Sequence, residues 1–266
     1  MNLQVESAAK NKSLARALSA LDLFSGSDIS WGIRELAREM NSDPATVYRT
    51  LATLSHSGYL EKDPINNRYR LGPKVLMLAG SYSEQNPVQA VAKKVFERYS
   101  QNFTHNFYLG QLFGDEVIYI AVKEGHGPIK ISVSQGASIA LYSTALGKVL
   151  LAYQDNDFID EYIKRTDFLS YTPQTITEPE ELMNSIYEIR ALGYAINHGE
   201  RHPDIGSIGV PLLYKNHKTN LAVSIAYPQH LVNEKKLNLE SLVDLTREIT
   251  SEINRRTSIQ SFEFLS

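Results

Sequence analysis

A chain of 266 residues, of which 42% are hydrophobic and 21% charged, has the composition of a folded protein long enough for two domains, which excludes a disordered or fibrous chain. Its lack of cysteine excludes disulfides, thiolate metal sites and cysteine nucleophiles. No apolar run reaches the roughly 20 residues of a membrane helix and the start lacks the pattern of a signal peptide, so we expect a cytoplasmic protein.

Charge is distributed unevenly along the chain. The formal net charge is −3, which argues weakly against a protein that binds nucleic acid with its whole surface. The first 75 residues, however, hold ten Lys and Arg against eight Asp and Glu, whereas the remainder holds 17 against 22. The N-terminal part is therefore the basic part. Because its excess is small, we expect modest non-specific affinity and more than one DNA-binding module per assembly.

The first predicted helix begins at Ser13 and carries apolar residues at helical spacing before Gly26 ends it. Residues 1–11 are polar, and we expect them to be loose. Lys12 and Arg16 lie near the start of the helix and are candidates for a contact with a backbone phosphate. A solvated helix end is an equal alternative for both.

Two further short helices are predicted by apolar stripes at residues 33–40 and 47–54. Asp43 can cap the second helix, Pro44 is tolerated at its first position, and Gly58 supplies a left-handed stop. Two helices joined by a tight turn form the helix-turn-helix, whose second member lies in the major groove of DNA. A helical hairpin in an ordinary core is the alternative.

The outer face of the second helix carries small side chains, hydroxyls and one guanidinium. Small residues permit close approach to a groove wall, hydroxyls reach phosphates or base edges, and a guanidinium can bind guanine in bidentate fashion. We therefore predict a recognition helix. The residues assigned to DNA contact on it are Pro44, Ala45, Thr46, Tyr48, Arg49 and Thr53.

A β-hairpin follows, with turn-forming residues at 63–66 between two short alternating runs. It completes a winged helix-turn-helix domain at residues 10–72. Arg68 and Arg70 alternate to one side of its second strand and are candidates for phosphates flanking the groove. A solvated strand face is the alternative.

The remaining chain is predicted to be a linker helix at 73–86, a second domain at 87–258 and a tail at 259–266. Periodicity predicts a helix at 88–99, strands at 106–112, 116–123 and 129–133, helices at 143–153, 158–165 and 178–192, strands at 194–197, 205–213 and 221–226, and a last helix at 239–255. Segregated strands and helices of this kind indicate an α+β domain built on a mostly antiparallel sheet.

Three segments in order carry a resemblance to a known family: SDPATVYRTLATLSHSGYL in the winged helix, YSTALGKVLLAY at 142–153, and LGYAINHGE at 192–200 followed by IGSIGVPLL and LAVSIAYP. With them the chain resembles the IclR family of bacterial transcription regulators. The resemblance implies a winged helix-turn-helix, a linker helix and a C-terminal GAF-like effector domain with an antiparallel sheet flanked by helices. It further implies a homodimer or dimer of dimers on palindromic operator DNA, regulating a catabolic operon in response to a small organic acid.

The resemblance also implies an effector site. The residues it points to are the backbone at Ala145 and Leu146 with Asn197, Ser207 and Ser224. From the residues themselves, the helix expected after Tyr142 presents free N–H groups that attract a carboxylate, and Ile131 and Ile139 could form an apolar wall. Tyr142 is assigned to the same effector site. We expect Lys148 to form a structural ion pair instead.

The segment after residue 196 departs from the family, since acidic residues usually stand where this chain has Asn197, His198 and Gly199. In an extended strand His198, Glu200, His202 and Asp204 would share one face, a conceivable zinc or nickel site. Gly199 and Pro203 favour a loop instead, and we expect no metal and no cofactor.

Two other functions compete with a regulator. An enzyme could use the α+β domain with the winged helix as a protein contact, and a DNA-independent interaction module is a third possibility. The chain has no Gly-x-Ser-x-Gly elbow, no phosphate loop and no Ser-x-x-Lys at a plausible helix start, so we expect a non-enzyme.

Overall fold

A computed structural model of the protein describes residues 11–26, 30–103, 105–126, 133–213 and 219–257. The chain divides into two compact units between Asn86 and Pro87. The predicted strand at 129–133 and residue Ile131 fall almost wholly outside the described residues, as do the tail at 259–266 and residues 1–10. Among the described helices, none is long and apolar enough to cross a membrane.

The N-terminal unit is a winged helix-turn-helix followed by one further helix, as expected. Its elements are α1 (Lys12–Asp22), α2 (Ile33–Glu39), α3 (Pro44–His56), β1 (Leu60–Lys62), β2 (Tyr69–Leu71) and α4 (Pro73–Gln85). Helix α1 begins at Lys12, one residue before the predicted start at Ser13, and Asn11 caps it because the Asn11 side chain accepts from the backbone N–H groups of Ser13 and Leu14. A short 3₁₀ turn at Leu23–Ser25 separates α1 from Gly26.

The core of this unit joins helices α1, α2 and α3 to the hairpin. Asp43 accepts from the Thr46 backbone N–H at 2.8 Å and so caps α3 as predicted, while Gly58 takes a φ of +81° just beyond its end. Trp31 exchanges two backbone hydrogen bonds of 2.8 Å with Tyr69, which adds one residue of a third strand to the wing. The core side chains are Ala20, Phe24, Leu36, Ala37, Val47, Leu51, Leu54, Leu60 and Tyr69.

Helix α4 buries none of its side chains. Leu76 is 76% exposed and Met77 65%, and Leu78 and Tyr82 are also exposed. An exposed apolar surface of this kind on a helix is typical of an interaction surface.

The C-terminal unit contains a six-stranded antiparallel sheet in the order β5-β4-β3-β8-β7-β6, which confirms the predicted class. Its elements are α5 (Pro87–Ser100), β3 (Asn106–Phe113), β4 (Glu116–Lys123), β5 (Ser138–Ala140), α6 (Ala145–Ala152), α7 (Asn156–Arg165), α8 (Pro179–Leu192), β6 (Ala195–His198), β7 (Ile205–Pro211), β8 (Leu221–Pro228), α9 (Gln229–Asn233) and α10 (Leu239–Arg256). Sequence analysis missed β5 and α9, which are too short to show a period.

The two faces of the sheet are packed differently. Helices α5 and α10 cover one face, where the large residues of β8, from Leu221 to Tyr227 at alternate positions, join a continuous core. Helix α6 lies against the other face, where β8 presents only Ala222, Ser224 and Ala226. Since strand side chains alternate between faces, small residues on one face leave space beneath α6 without weakening the opposite core.

Candidate DNA-binding surface and ligand cavity

The outer face of α3 is open to solvent. Arg49 and Thr53 are both exposed, and the Arg49 Nη2 donates to the Thr46 hydroxyl at 3.0 Å. Asp43 accepts hydrogen bonds from the Thr46 hydroxyl and from the Thr46 backbone N–H. These bonds, the one from the hydroxyl most of all, hold the pKa of the Asp43 carboxyl below its usual range. The guanidinium is thus held only by a neutral hydroxyl, and it forms no ion pair with a carboxylate of the described residues.

The other residues assigned to DNA are placed as follows. Pro44, Ala45 and Tyr48 are exposed on α3, and Thr46 is half-buried there. On α1, Lys12 is exposed and Arg16 half-buried. Their contact with DNA stays a prediction.

The two arginines of the wing already have partners. Arg68 forms an ion pair with Glu35 at 2.8 Å and also donates to the Ser30 hydroxyl at 3.0 Å and the Ser30 carbonyl at 2.7 Å. Arg70 pairs with Glu61 across the hairpin at 3.0 Å. The structure therefore gives Arg68 the task of bracing the wing against α2, and a phosphate contact by either arginine has to replace an existing ion pair.

In the C-terminal unit a cavity of about 490 Å³ opens between α6 and the small-residue face of the sheet. This volume lies within the range of small-molecule sites. Its walls are formed by Tyr108, Tyr119, Val133, Ser134, Ala137, Ser138, Ile139, Thr144, Leu146, Asn197, Arg201, His202, Ile205, Ser207, Ser224 and Ala226. Five of the residues assigned to an effector, namely Ile139, Leu146, Asn197, Ser207 and Ser224, are among them.

Tyr142 and Ala145 are not brought to the cavity wall. The Tyr142 hydroxyl is used by Leu169, donating to its carbonyl and accepting from its N–H at 2.9 Å each. Strand β7 passes so close to Ala145 that a Cβ added at Gly209 would lie 2.6 Å from the Ala145 carbonyl oxygen. The start of α6 is therefore packed against the sheet and capped by Thr144, which accepts from the Gly147 N–H at 3.1 Å.

Asn197 reaches the cavity, but its polar atoms are already bonded. Its amide nitrogen donates to the Ser143 carbonyl at 2.9 Å, and its amide oxygen accepts from the N–H groups of Gly199 at 3.0 Å and Glu200 at 3.2 Å. An amide that fixes a turn in this way positions the following residues. We infer that Asn197 shapes the site, in contrast to the direct ligand contact that was expected.

Lys148 pairs structurally, as predicted. Its ammonium lies 2.6 Å from the Glu200 carboxylate, with both side chains less than 10% exposed, and it also donates to the Ile196 carbonyl at 3.1 Å. Thr172 and Thr175 donate their hydroxyls to the carbonyls of Gly199 at 2.8 Å and Glu200 at 2.6 Å. The turn after β6 is thus anchored by side chains and backbone together.

The four residues considered for a metal are not gathered at one point. Gly199 has a φ of +86°, which breaks the strand alternation after His198, and Glu200 then turns inward to Lys148. His202 and Asp204 lie exposed further along the turn. Within the described ranges no three His, Cys, Asp or Glu side chains approach closely enough to hold a metal ion.

Sequence analysis missed two aromatic residues and one cation of the cavity. The rings of Tyr108 and Tyr119 lie 5.3 Å apart, and Arg201 stacks its guanidinium 3.6 Å above the ring of Tyr171. Burial raises the pKa of Tyr119 to about 12, and the charge of Arg201 opposes that rise. The alternation of the strands could have shown that both tyrosines share a face, but no sequence pattern marks that face as hollow.

Comparison with known proteins connects both sites to one family. Residues 13–64 match the family model described as the IclR helix-turn-helix domain, and residues 80–255 match the one described as the bacterial transcriptional regulator IclR C-terminal domain. The Pca regulon regulatory protein of Pseudomonas putida is 31% identical over 201 residues, which cover 75% of this chain and 68% of that protein.

Solved structures show the same architecture. The crystal structure of an IclR transcriptional regulator from Alicyclobacillus acidocaldarius is 28% identical, with a TM-score of 0.80 over 91% of this chain and 97% of its own. An IclR homologue from Microbacterium hydrocarbonoxydans, solved in complex with 4-hydroxybenzoate, shares the fold at 22% identity, with a TM-score of 0.77 over 94% of this chain and 99% of its own. The chain therefore belongs to the IclR family of bacterial transcriptional regulators and carries its helix-turn-helix DNA-binding domain.

Proposed function

We propose that this regulator controls a catabolic operon by binding operator DNA through α3 and a small organic acid in the cavity beneath α6. The observation that carries the proposal is the lining of the cavity, which combines a guanidinium, several hydroxyls and apolar side chains with no Asp or Glu among its described residues. Such a lining favours an anionic ligand, because an anion meets no repelling carboxylate there and gains a cation.

The relatives support this assignment. The Pseudomonas putida relative is a regulon regulatory protein, and the Microbacterium hydrocarbonoxydans homologue was solved in complex with a small aromatic acid. The named relatives are transcriptional regulators, which favours regulation over the alternative of an enzyme with a winged helix as a protein contact.

A homodimer or a dimer of dimers accords with the N-terminal unit. Four large apolar side chains of α4 are exposed, and on α1 Leu14 is 57% exposed and Leu18 53%. Exposed apolar side chains are favourable where a second copy covers them, and a symmetric pair of winged helices matches a palindromic operator.

A gel shift with the DNA upstream of the protein's own gene tests the regulator directly. We expect a retarded complex that is displaced by excess specific competitor and weakened by salt, and whose affinity changes when an organic acid binds the protein. By thermodynamic linkage, operator DNA should change the affinity for that acid by the same factor. Conversion of the acid into a product by the protein, with no DNA complex, would favour the enzyme alternative.

A further inference from the structure

Besides its serine hydroxyls, the described cavity wall carries a phenol and a guanidinium that have no hydrogen-bond partner of their own. The Tyr119 hydroxyl belongs to a buried side chain on β4, and Arg201 follows the anchored turn after β6. Across the part of the chain that the structure describes, neither side chain forms a hydrogen bond or ion pair. Buried or half-buried donors normally find an acceptor, so this end of the cavity is suited to a ligand that brings acceptors but no donors.

The guanidinium of Arg201 is held for such a role. Its face lies on the ring of Tyr171, a cation–π contact that leaves the N–H groups along its edge free. The backbone beneath it is fixed, because Asn197 binds the N–H of Glu200 and Thr175 binds its carbonyl. A planar fork of donors on a fixed base matches the two oxygens of a carboxylate.

The number of cations limits the ligand to one carboxylate. Arg201 is the only permanently charged side chain among the described residues of the wall, and His202, the other basic residue, lies exposed. A second carboxylate placed against the cavity wall would lose hydration without gaining a permanent cation, which is costly. Dicarboxylates are therefore disfavoured.

The rest of the wall favours a flat apolar body. Val133, Ile139, Leu146 and Ile205 supply aliphatic surface, and the rings of Tyr108 and Tyr119 meet at an interplanar angle of 59°. Tilted aromatic pairs readily accept a third ring at an edge or face. A polyhydroxylated chain would place many polar groups against these apolar side chains and so bind less well.

Serine hydroxyls remain for a substituent on that body, among them two on the central strands of the sheet. Ser207 and Ser224 line the cavity from β7 and β8, and neither hydroxyl has a hydrogen bond to another described residue. Serine hydroxyls both donate and accept, so they suit a phenolic or carbonyl group.

We propose that the cavity selects an aromatic monocarboxylate, with its carboxylate bound by the Arg201 guanidinium and the Tyr119 hydroxyl. The inference rests on the proposed function and gives the chemical class of the ligand in that same site. Its new element is the division of labour: Arg201 and Tyr119 bind the charged group, whereas Asn197 only holds the turn.

Calorimetric titration of the full-length protein with four probes tests the class: 4-hydroxybenzoate, its neutral counterpart 4-hydroxybenzamide, the dicarboxylate terephthalate and the polyhydroxylated gluconate. We expect 4-hydroxybenzoate to bind at least about tenfold more tightly than each of the others, since a hydrogen bond to a charged group contributes about that factor or more. Tighter binding of terephthalate or gluconate, or no binding of 4-hydroxybenzoate, would overturn the inference.

Variants test the residues. Arg201→Gln should weaken the binding of 4-hydroxybenzoate by about ten- to hundredfold and change the affinity for 4-hydroxybenzamide by no more than about twofold. Tyr119→Phe should weaken the binding of the acid by about fivefold. Arg255→Gln, at an exposed arginine of α10 in the same unit, is the matched control and should change neither. Equal losses for acid and amide in Arg201→Gln, or unchanged affinity for the acid, would contradict the assignment.

The two levels of the proposal fail separately. The gel shift on operator DNA in the absence of any acid tests only the regulator. If the DNA complex forms and responds to an acid of another class, the regulator stands and the ligand class is wrong. If 4-hydroxybenzoate binds as expected but no operator complex forms, the ligand class stands and the proposed regulation through operator DNA is wrong.

Discussion

Helix α3 presents the proposed DNA contact and helix α6 covers the proposed ligand cavity, and the two helices differ most in burial. On α3 three apolar side chains, Val47, Leu51 and Leu54, face the core, and the opposite face is open. On α6 all eight residues from Ala145 to Ala152 are buried. In the proposed function a DNA duplex would contact the exposed surface of α3, whereas a small ligand would have to enter a space that α6 covers.

This difference determines which residues are free to bind. On an exposed helix face the side chains of the helix itself are available for binding, as the Arg49 guanidinium is on α3. The polar and apolar groups of a fully buried helix are already used inside the protein, as Lys148 is by its ion pair with Glu200. The proposed ligand contacts therefore come from the strands and turns around α6. Substitutions on α6 should therefore reduce the stability of the fold, whereas substitutions on the outer face of α3 should reduce DNA affinity and leave stability unchanged.

The largest expected effect is on α6. Lys148→Ala leaves the buried Glu200 carboxylate without its cation, and we expect the C-terminal unit to lose about 3–5 kcal/mol of unfolding free energy. Urea unfolding followed by circular dichroism measures this, while the fluorescence of Trp31, the only tryptophan, reports the N-terminal unit and should be unchanged. Replacing both partners, Lys148→Met with Glu200→Leu, should recover much of the loss. A single variant as stable as the wild type would show that the pair is not buried in solution.

The matching change on α3 should spare the fold. Arg49→Ala removes an exposed guanidinium, and we expect operator binding to weaken by about 1–3 kcal/mol with no change in unfolding or in ligand affinity. Fluorescence anisotropy with labelled operator DNA measures it, and Arg255→Ala is the control for loss of one positive charge. Unaltered DNA affinity would remove Arg49 from the interface.

An effect of similar size, but on stability, is expected where the turn meets the cavity. Asn197→Ala breaks three hydrogen bonds that hold the chain near Arg201, so we expect a loss of about 1–3 kcal/mol in stability. Ligand affinity should fall as well, and equally for an acid and its neutral amide. Ser224→Ala, which removes a hydroxyl without a described partner, should keep full stability. Selective loss of the acid alone in Asn197→Ala would mean that the amide contacts the carboxylate.

The smallest effect concerns the wing. The hydrogen bonds from Arg68 and then from the Gly32 N–H hold the pKa of Glu35 below its usual value in the folded protein. A depressed carboxyl pKa stabilises the fold above the unfolded pKa, and that contribution is lost as pH falls through the lowered folded pKa. Glu35→Gln should therefore be less stable than the wild type at about pH 7, and the difference should shrink as the pH falls below the ordinary carboxyl pKa of about 4, as measured by Trp31 fluorescence. A difference that persists in acid would contradict the ion pair as its source.

The sequence was sufficient for α3 and insufficient for the cavity, for a physical reason. The cap at Asp43, the proline that follows it and the glycine beyond the end are local signals, and the structure confirms each. A cavity depends on what is missing between elements. Strand alternation places Ala222, Ser224 and Ala226 on one face of β8. Only the sheet order and the position of the helix show that this face lies towards α6.

The turn after β6 shows a second limit. Gly199 and Pro203 correctly favoured a loop over a strand with one shared face of His and acidic residues. The local pattern did not show, however, that Glu200 turns inward to pair with Lys148, 52 positions earlier. Similarly, the alternation of Arg68 and Arg70 did not reveal that Glu35 and Ser30, more than thirty positions earlier, already bind the first of them. Partners distant along the chain are invisible to a local pattern.

In this turn the anchoring residues and the cavity-facing residues are different positions. Asn197 and Glu200 fix the backbone through the core, whereas Arg201 and His202 only extend from it. Replacing either of the latter two therefore leaves the supporting bonds intact. Ligand preference in a protein built this way can diverge, in nature or by engineering, through one or two substitutions whose cost in folding is small.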